Sequence, residues 1–278
     1  MLASMKEMLL KAQKGHYAVP HFNVWNVEML EGVMDAVEEG RSPVIISFGT
    51  GFVKNTNPDH FTPMMVSMAK AATVPASVHW DHGRNFGIVQ HAVDIGFTSV
   101  MIDASANPLD VNIRLTKEVV DAFQHLGYPV EAELGHVGAE TKYEDALASY
   151  GYTDPDQAKE FIEGTGADAL AVAIGNMHGV YSSEPKIDFG ILERVRAAID
   201  TPLVLHGASG IGDADVRRAI SLGCTKINIH TELGQAAMIA IEECGGKMNY
   251  LALQQEVRKA VKGRALDKIR LFGSEGKA

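Results

Sequence analysis

The sequence predicts a TIM (β/α)8 barrel with extra terminal helices, formed by residues 1–278 as a single domain. Short apolar segments alternate with helical segments along the whole chain. These segments lack an exposed alternating face, which is typical of parallel strands covered by helices. Roughly eight such units in roughly 250 residues match a TIM barrel. A doubly wound open sheet is the alternative, but no G-x-G-x-x-G motif follows the first strand.

The strands are predicted from apolar runs that end in glycine or in polar residues. In chain order they cover residues 17–23, 43–49, 76–81, 99–103, 129–135, 168–175, 202–206 and 225–230. Helical patterns between them include residues 26–39, 60–72 and 110–126. An amphipathic helix in residues 1–15 precedes the barrel. Helices in residues 245–278 follow it, and we expect them to lie outside the barrel. We expect the protein to form a homodimer or a homotetramer.

One long polar connection interrupts this alternation at residues 136–153. Loops of this length inside a compact domain are uncommon unless they have a function. We therefore expect a mobile lid over a site, with a helix starting again near Pro155.

Composition excludes several classes of partner. The formal net charge is −10 and no basic block occurs, so we expect neither nucleic acid nor an anionic membrane as a partner. No apolar run approaches the roughly 20 residues that a membrane span needs. Cys224 and Cys244 form no disulfide framework, and the first residues do not read as a signal peptide. We expect a cytoplasmic protein.

Three histidines occupy equivalent positions at the ends of predicted strands. His82, His178 and His206 are each followed by glycine. The carboxyl ends of the strands meet at one face of a parallel barrel, so the three imidazoles can converge there. A single one of them reads equally well as an ordinary strand-end histidine, but three favour a metal site. Three protein ligands with an open fourth position are typical of catalytic zinc.

Carboxylates accompany these histidines. Asp81 precedes His82 and could either orient a ligand or move protons, and the sequence leaves both roles open. Glu131 and Glu133 share one face of the fifth strand. A carboxylate inside a barrel is costly unless it is paired or near a cation. Glu133 lies closer to the rim and is the better site candidate, whereas Glu131 reads as structural.

Two turns predict a phosphate site. A glycine-containing turn at residues 207–210 follows the seventh strand, and residues 228–232 end the eighth. Loops after these two strands often bind phosphate in TIM barrels, through backbone N–H groups and helix N-termini.

Taken together, six segments resemble the class II, metal-dependent ketose-bisphosphate aldolases over nearly the whole chain. They are residues 80–83, 96–103, 130–135, 171–179, 205–210 and 228–232. The resemblance is strongest to the tagatose-bisphosphate type and its sugar-phosphate relatives. It implies a zinc-dependent aldolase of carbohydrate metabolism. Such an enzyme reversibly cleaves a ketose 1-phosphate or ketose 1,6-bisphosphate to dihydroxyacetone phosphate and an aldehyde.

The resemblance also implies roles for individual residues. Zn²⁺ is expected on His82, His178 and His206, with Glu133 near the metal. Asp81 is expected to protonate the aldehyde oxygen, and a lid carboxylate, Glu140 with Glu144 behind it, to remove the C3 proton. The implied substrate-binding residues are Asn23, Gly179, Gly207, Ser209, Asn228, His230 and Thr231. A monovalent cation, Na⁺ or K⁺, is expected near Gly179 and Gly207.

Several positions depart from the family pattern. Glu140 lies one position away from the usual single lid glutamate, and Ser182 stands where many fructose-specific members have lysine. Residues 233–235 lack the arginine that binds a distal phosphate, Gly49 replaces a common serine, and His230 replaces Asn, Asp or Ala. The proximal phosphate site is intact but the distal one is not. We therefore expect a distal group other than a simple phosphate, such as a longer sugar or a sugar acid.

Two alternatives remain open from the sequence. One is a different metal-dependent sugar enzyme, an isomerase or a hydrolase. The other is a barrel that binds sugar phosphates without turnover.

Overall fold

The computed structural model describes residues 1–138, 151–244 and 246–278. Eight parallel strands close into a barrel in sequence order. Closure is direct, because the first strand pairs with the eighth, with Pro20 beside Ile227 and Phe22 beside Ile229. The predicted TIM barrel is confirmed, and the open-sheet alternative is excluded by this pairing.

The strands lie where the apolar runs predict them, and most are one or two residues shorter. All of their residues are buried except His82, which is half-buried. Their bounds are β1 (Val19–Asn23), β2 (Val44–Gly49), β3 (Ala76–Gly83), β4 (Ser99–Ile102), β5 (Val130–Leu134), β6 (Ala169–Val172), β7 (Leu203–Leu205) and β8 (Cys224–Ile229).

Helices cover the outside of the barrel and its amino-terminal end. They are α1 (Met5–Gly15), α2 (Val27–Glu39), α3 (Pro58–Ala71), α4 (Phe86–Asp94), α5 (Leu109–Phe123), α6 (Pro155–Thr165), α7 (Phe189–Ala198), α8 (Asp213–Ser221), α9 (Thr231–Cys244) and α10 (Tyr250–Leu271). Several begin at a capping side chain; Asn26, for example, accepts a hydrogen bond from the Met29 N–H at 2.9 Å. No helix in the described part of the chain combines the length and the apolar character needed to cross a membrane.

The last helix, α10, packs closely on α2. A Cβ added at Gly32 would lie 2.7 Å from the Arg258 carbonyl oxygen, so the glycine permits the close approach. Arg258 also bonds to Asp35 at 2.6 Å and to Glu31 at 2.7 Å. The helical region predicted beyond residue 245 is therefore docked against the outer helix layer.

The amino-terminal helix α1 closes the bottom of the barrel. Met5 and Leu9 are fully buried and form one apolar cluster with Ile45, Met101 and Val204 of the barrel strands. This end of the barrel is filled by apolar side chains. The predicted lid, with Glu140 and Glu144, lies largely outside the described residues.

Candidate active site at the carboxyl ends of the strands

A cleft of about 700 Å³ opens at the carboxyl ends of the strands. Ten of the residues predicted for a site line it: Asn23, Asp81, His82, His178, Gly179, Gly207, Ser209, Asn228, His230 and Thr231. His206 and Glu133 are fully buried just beneath the cleft surface. His206 lies 3.6 Å from Glu133 and contacts His82. Glu140 falls outside the residues that the structure describes.

The three strand-end histidines converge. The ring centroid of His82 lies 4.8 Å from that of His178 and 4.8 Å from that of His206. The Nε2 atom of His82 is 3.1 Å from Nδ1 of His206. Nitrogens of all three rings lie within 4.8 Å of one another. The geometry brings together three side chains that are far apart in the sequence.

Each imidazole has one nitrogen that no carboxylate or backbone group is described to occupy. Asp103 Oδ2 accepts from His82 Nδ1 at 2.9 Å, and Glu131 Oε1 accepts from His206 Nε2 at 2.9 Å. The buried Nε2 of His178 has no hydrogen-bond partner. Two nitrogens on a tetrahedral zinc lie about 3.3 Å apart, close to the separation of the free His82 and His206 nitrogens. The donor set therefore fits a divalent metal.

Local backbone features hold this arrangement. His82 has φ 54°, a left-handed conformation that is uncommon outside glycine and occurs at functional sites. The Thr50 hydroxyl donates to the His82 carbonyl at 2.7 Å. At Gly207 a Cβ would lie 2.1 Å from the Met177 carbonyl oxygen, so only glycine allows these two loops to touch.

The charges around His82 favour its protonated form when no metal competes. Burial opposes the charge, but Asp81 and the hydrogen-bonded Asp103 outweigh it and raise the pKa of His82 to about 9. By contrast, burial and the neighbouring imidazoles hold the pKa of His178 well below its usual range. The carboxylates of Asp81 and Asp103 thus favour positive charge on the His82 ring.

Glu133 offers a fourth donor beside the histidines. Its Oε1 accepts hydrogen bonds from Ser105 Oγ at 2.9 Å and from the Val137 N–H at 3.0 Å. Its buried Oε2 has no hydrogen-bond partner and lies 3.6 Å from His206 Nδ1. Burial, together with the charge of Asp103, raises the pKa of the Glu133 carboxyl to about 8. The free oxygen is positioned to meet a cation.

Glu131 lies one layer deeper. Lys226 Nζ lies 3.0 Å from Glu131 Oε1 and 2.9 Å from Oε2, and both side chains are fully buried. Burial opposes ionisation of Glu131, but Lys226 and His206 hold its pKa well below the usual range. Its geometry is that of a buried ion pair that orients His206.

Asp81 faces the cleft with one oxygen. Asn23 Nδ2 donates to Asp81 Oδ2 at 2.9 Å, while the buried Oδ1 has no partner. Burial would raise its pKa, but the adjacent His82 helps to hold that pKa well below the usual range. His21 of β1 lies buried in the barrel interior, where its ring is close to His79 and Asp81.

The opposite side of the cleft contains the predicted phosphate residues. Ser209 Oγ accepts from the N–H groups of His230 at 3.3 Å and Glu232 at 3.4 Å. Gly179 has φ 99° and open space where a side chain would stand. The buried amide of Asn228 has no partner at either its oxygen or its nitrogen. Buried polar atoms rarely remain unpaired, so this amide is available to a ligand.

Sequence reasoning assigned no role to several neighbours of the site. Asp103 ends the segment 96–103 that carries the family resemblance, and its position just after β4 was the available signal. Arg84 follows His82 by two residues and lines the cleft, as do Thr50 and Phe52. Nothing in their local sequence distinguishes these residues from ordinary loop residues.

The sequence is similar to known proteins over its whole length. The family model described as Fructose-bisphosphate aldolase class-II matches residues 3–277. The uncharacterized protein YdjI of Escherichia coli (strain K12) is 64% identical over 278 residues, covering 100% of both chains. The fructose-bisphosphate aldolase of Geobacillus stearothermophilus is 41% identical over 289 residues, covering 100% of this chain and 99% of that protein.

Solved structures share the fold. The X-ray crystal structure of the YdjI aldolase from Escherichia coli K12 superposes with a TM-score of 0.92 at 59% identity, covering 100% of both chains. The fructose-bisphosphate aldolase of Campylobacter jejuni superposes with a TM-score of 0.81 at 22% identity, covering 100% of this chain and 97% of that one.

Proposed function

The chain belongs to the class-II fructose-bisphosphate aldolase family and is a metal-dependent carbon–carbon lyase acting on a sugar phosphate, and we propose zinc as its metal. We further propose that it reversibly cleaves a ketose 1-phosphate or ketose 1,6-bisphosphate to dihydroxyacetone phosphate and an aldehyde. The convergence of free nitrogens from His82, His178 and His206 is the observation that carries this proposal.

The metal would be held by these three imidazoles, with Glu133 Oε2 beside them. Zinc at this position would supply a Lewis acid that polarises the substrate carbonyl. The protein contributes orientation, since Asp103 and Glu131 fix the two rings they bond. No Schiff-base lysine is needed, and Lys226 is occupied by Glu131.

Asp81 is proposed to transfer the proton of the hydroxyl next to the breaking bond. Its low pKa keeps it ionised, so in the cleavage direction its free Oδ1 accepts that proton. In the synthetic direction the same oxygen returns the proton to the new alkoxide. Asn23 holds the other oxygen and thereby sets the direction in which Oδ1 points.

The dihydroxyacetone phosphate unit is proposed to lie against the side of the cleft formed by the loops after β6, β7 and β8. Asn228 would bond its hydroxyl and carbonyl oxygens with an amide that has no partner within the protein. The phosphate would bind near Gly179, Gly207 and Ser209, with the backbone of His230 and Thr231. A Na⁺ or K⁺ ion near Gly179 and Gly207 would help to neutralise it.

The base that removes the C3 proton is proposed to come from the lid. Glu140 is the leading candidate and Glu144 the second, because both are carboxylates in the segment that follows Val137 at the cleft. Comparing Glu140→Gln with Glu144→Gln tests the assignment. Full turnover in Glu140→Gln would move the role to another residue and leave Asp81 unaffected.

The distal end of the substrate is proposed to carry something other than a simple phosphate, such as a longer sugar or a sugar acid 1-phosphate. Among the described residues that line the cleft, Arg84 is the single lysine or arginine. One exposed guanidinium provides a weaker anion site than the glycine-containing cradle on the opposite side. The support for this proposal is therefore the scarcity of cations at the distal end.

The decisive experiment is a retro-aldol assay with trapped dihydroxyacetone phosphate as the readout. Phosphorylated ketoses of increasing length are compared with fructose 1,6-bisphosphate, before chelation, after it, and after zinc is restored. We expect activity to be lost with chelator and regained with zinc. Fructose 1,6-bisphosphate cleaved far faster than every monophosphorylated ketose would contradict the distal-group proposal. Zinc binding without any cleavage would contradict the function itself.

We also propose a cytoplasmic homodimer or homotetramer. Cys224 and Cys244 are both free thiols, which suits a reducing compartment. Light scattering of the purified protein distinguishes the two assemblies from a monomer.

A further inference from the structure

We infer that three aromatic side chains form a binding subsite for the aldehyde half of the substrate: Phe52 and His230, which line the cleft, and Trp25, which packs against both. We call this group the aromatic wall. It would take an uncharged polyhydroxylated carbon chain, whose C–H faces stack on the rings. The inference rests on the proposed aldolase function and specifies the class of aldehyde that the enzyme accepts.

The aromatic wall is a compact group of rings from three separate loops. The Trp25 and Phe52 rings stack, with centroids 5.0 Å apart and an angle of 22° between planes. The His230 ring meets Trp25 edge to face at 5.2 Å and Phe52 at 5.0 Å. These are favourable aromatic geometries, so the rings hold one another in place.

The surrounding chain is built to accommodate the wall. The Thr56 hydroxyl donates to the Trp25 carbonyl at 2.6 Å, which fixes the loop that bears the indole. The Trp25 ring also lies against α9, because a Cβ built at Gly234 would be in ordinary van der Waals contact with it at 3.4 Å. Phe48 supports Phe52 from beneath with a centroid distance of 5.8 Å.

Phe52 borders the place where the aldehyde oxygen is expected. Gly49 pairs in register with Asp81 across β2 and β3. A Cβ built at Gly49 would lie 3.5 Å from Asp81 Cβ and 3.5 Å from Phe52 Cε2. The edge of the Phe52 ring and the Cβ of Asp81 therefore flank the same small space. An aldehyde whose oxygen meets Asp81 would extend its remaining carbons toward Phe52.

The chemistry of the wall suits a neutral chain. Burial lowers the pKa of His230, so its ring is uncharged at neutral pH. Phe52 and His230 line the cleft and are only half-buried, so their rings remain accessible to a ligand. The faces of aromatic rings are electron-rich, which disfavours a phosphate anion and favours the weakly positive C–H groups of a sugar. The hydroxyl groups of such a chain can remain in contact with water.

His230 joins the two halves of the proposed substrate site. Its backbone N–H donates to Ser209 Oγ on the phosphate side, whereas its ring belongs to the aromatic wall. Substitutions of its side chain therefore risk disturbing the phosphate cradle. Phe52 is the cleaner position to test, because its side chain contacts aromatic rings, Gly49 and the apolar core and makes no described contact with the phosphate cradle.

The test is an aldol condensation with zinc-loaded enzyme, dihydroxyacetone phosphate and unphosphorylated aldehydes from glycolaldehyde to the pentoses. For each aldehyde, kcat/KM of Phe52→Leu is divided by that of the wild type, which cancels differences in open-chain fraction. We expect this ratio to fall about tenfold from glycolaldehyde to the pentoses, the size expected for losing one aromatic contact. Phe52→Tyr keeps the ring and should restore the wild-type dependence on chain length.

Phe86→Leu serves as the matched control. Phe86 also stacks on another ring, that of Phe123 at 5.4 Å, but on the outer helices away from the cleft. For Phe86→Leu, the ratio of kcat/KM to that of the wild type should be the same for every aldehyde. Zinc content and circular dichroism of each variant identify misfolding. If Phe52→Leu fails these checks, Trp25→Leu replaces it with the same expected ratio.

A binding measurement gives an independent readout. Titrating the enzyme with a pentitol, which cannot react, should change the fluorescence of Trp25 in the wild type. Trp80 is almost fully buried and lies outside the wall, so Trp25→Phe should abolish the change.

The outcomes separate the two proposals. If the wild type neither condenses any aldehyde nor cleaves any ketose phosphate, the proposed function fails. If the wild type turns over but Phe52→Leu lowers kcat/KM equally for all aldehydes, the subsite is overturned while the aldolase proposal stands. The subsite is also overturned if the wild type prefers phosphorylated aldehydes and Phe52→Leu shows the same preference.

Discussion

The two ends of the barrel use the same eight strands in opposite ways. At the amino-terminal end Met5 and Leu9 of α1 fill the interior with apolar side chains. At the carboxyl end Asp81 Oδ1, Glu133 Oε2, His178 Nε2 and both polar atoms of Asn228 are buried without hydrogen-bond partners. Unpaired buried polar atoms cost stability. Unpaired buried atoms also occur near α1, at Gln13 Oε1 and the Tyr17 hydroxyl, but at the carboxyl end they gather around one cleft. The contrast therefore lies in apolar filling at one end and clustered, unpaired polar atoms at the other.

A layer of buried charge separates the two ends. Lys226 and Glu131 pair inside the barrel, and Glu131 also accepts from His206, which points to the cleft. The layer belongs to both ends, because it neutralises charge in the interior and orients a ring of the site.

The largest expected difference between the ends is the effect of His178→Ala on turnover. His178 Nε2 has no hydrogen-bond partner, so the substitution removes a proposed metal ligand and breaks no hydrogen bond of that nitrogen. We expect kcat/KM to fall by roughly a thousandfold, with loss of bound zinc and little change in unfolding free energy. Steady-state kinetics and metal analysis measure this. His60→Ala, an exposed histidine on α3, should change neither quantity.

Next in size is Lys226→Met in the separating layer. It leaves the Glu131 carboxylate buried without its cation, which should lower the unfolding free energy by about 3–5 kcal/mol. Denaturant unfolding measures the loss. Adding Glu131→Gln removes the unpaired charge and should recover part of the stability. If Lys226→Met alone were as stable as the wild type, the layer would not be the neutralising pair described here.

Leu9→Ala tests the closed end. Truncating this fully buried side chain should cost about 2–5 kcal/mol in unfolding free energy, because a cavity remains in the apolar cluster. Turnover below the melting range should stay within about twofold of the wild type. Leu10→Ala is the matched control, because the Leu10 side chain is exposed. This substitution should change the unfolding free energy by less than about 0.5 kcal/mol. If Leu9→Ala lowered turnover in proportion to stability, the two ends would not have separate roles.

The smallest expected effect is that of Asp103→Asn at the open end. Asp103 accepts from His82 Nδ1, and replacing the carboxylate should weaken metal binding by about 10–100-fold through the ring it orients. Competition with a chromophoric chelator measures this affinity. The matched control is Asp59→Asn, because Asp59 pairs with His91 at 2.9 Å on the surface and no site is near. An unchanged affinity in Asp103→Asn would limit Asp103 to a structural role.

Much of the candidate site could be predicted from the sequence, for a reason that lies in parallel barrels. The strand ends of such a barrel meet at one face, so a histidine at the end of β3 and others just beyond β6 and β7 must approach one another. The same rule brought Asn228 and Ser209 to the cleft. Glu133 was distinguished from Glu131 by its nearness to the rim, and the structure places Glu131 one layer deeper, paired with Lys226.

Other features could not be read from the chain. The aromatic wall combines residues 25, 52 and 230, which lie in loops after β1, β2 and β8. No periodicity links them, because they become neighbours only when β8 pairs with β1 and closes the barrel. The inward position of His21 was likewise hidden. Alternation along β1 assigns a face, but it does not say how deep in the barrel a residue lies.

The sequence by itself determined the β/α alternation, the barrel and the set of polar residues at its carboxyl end. These follow from local periodicity and from the rule that parallel strands end together. Only the tertiary structure decided which nitrogen of each histidine is free, since Asp103 and Glu131 occupy the others. It also decided the left-handed backbone of His82 and the ring contacts beside Asp81. Those depend on contacts between strands that are distant in sequence, and local propensity carries no record of such contacts.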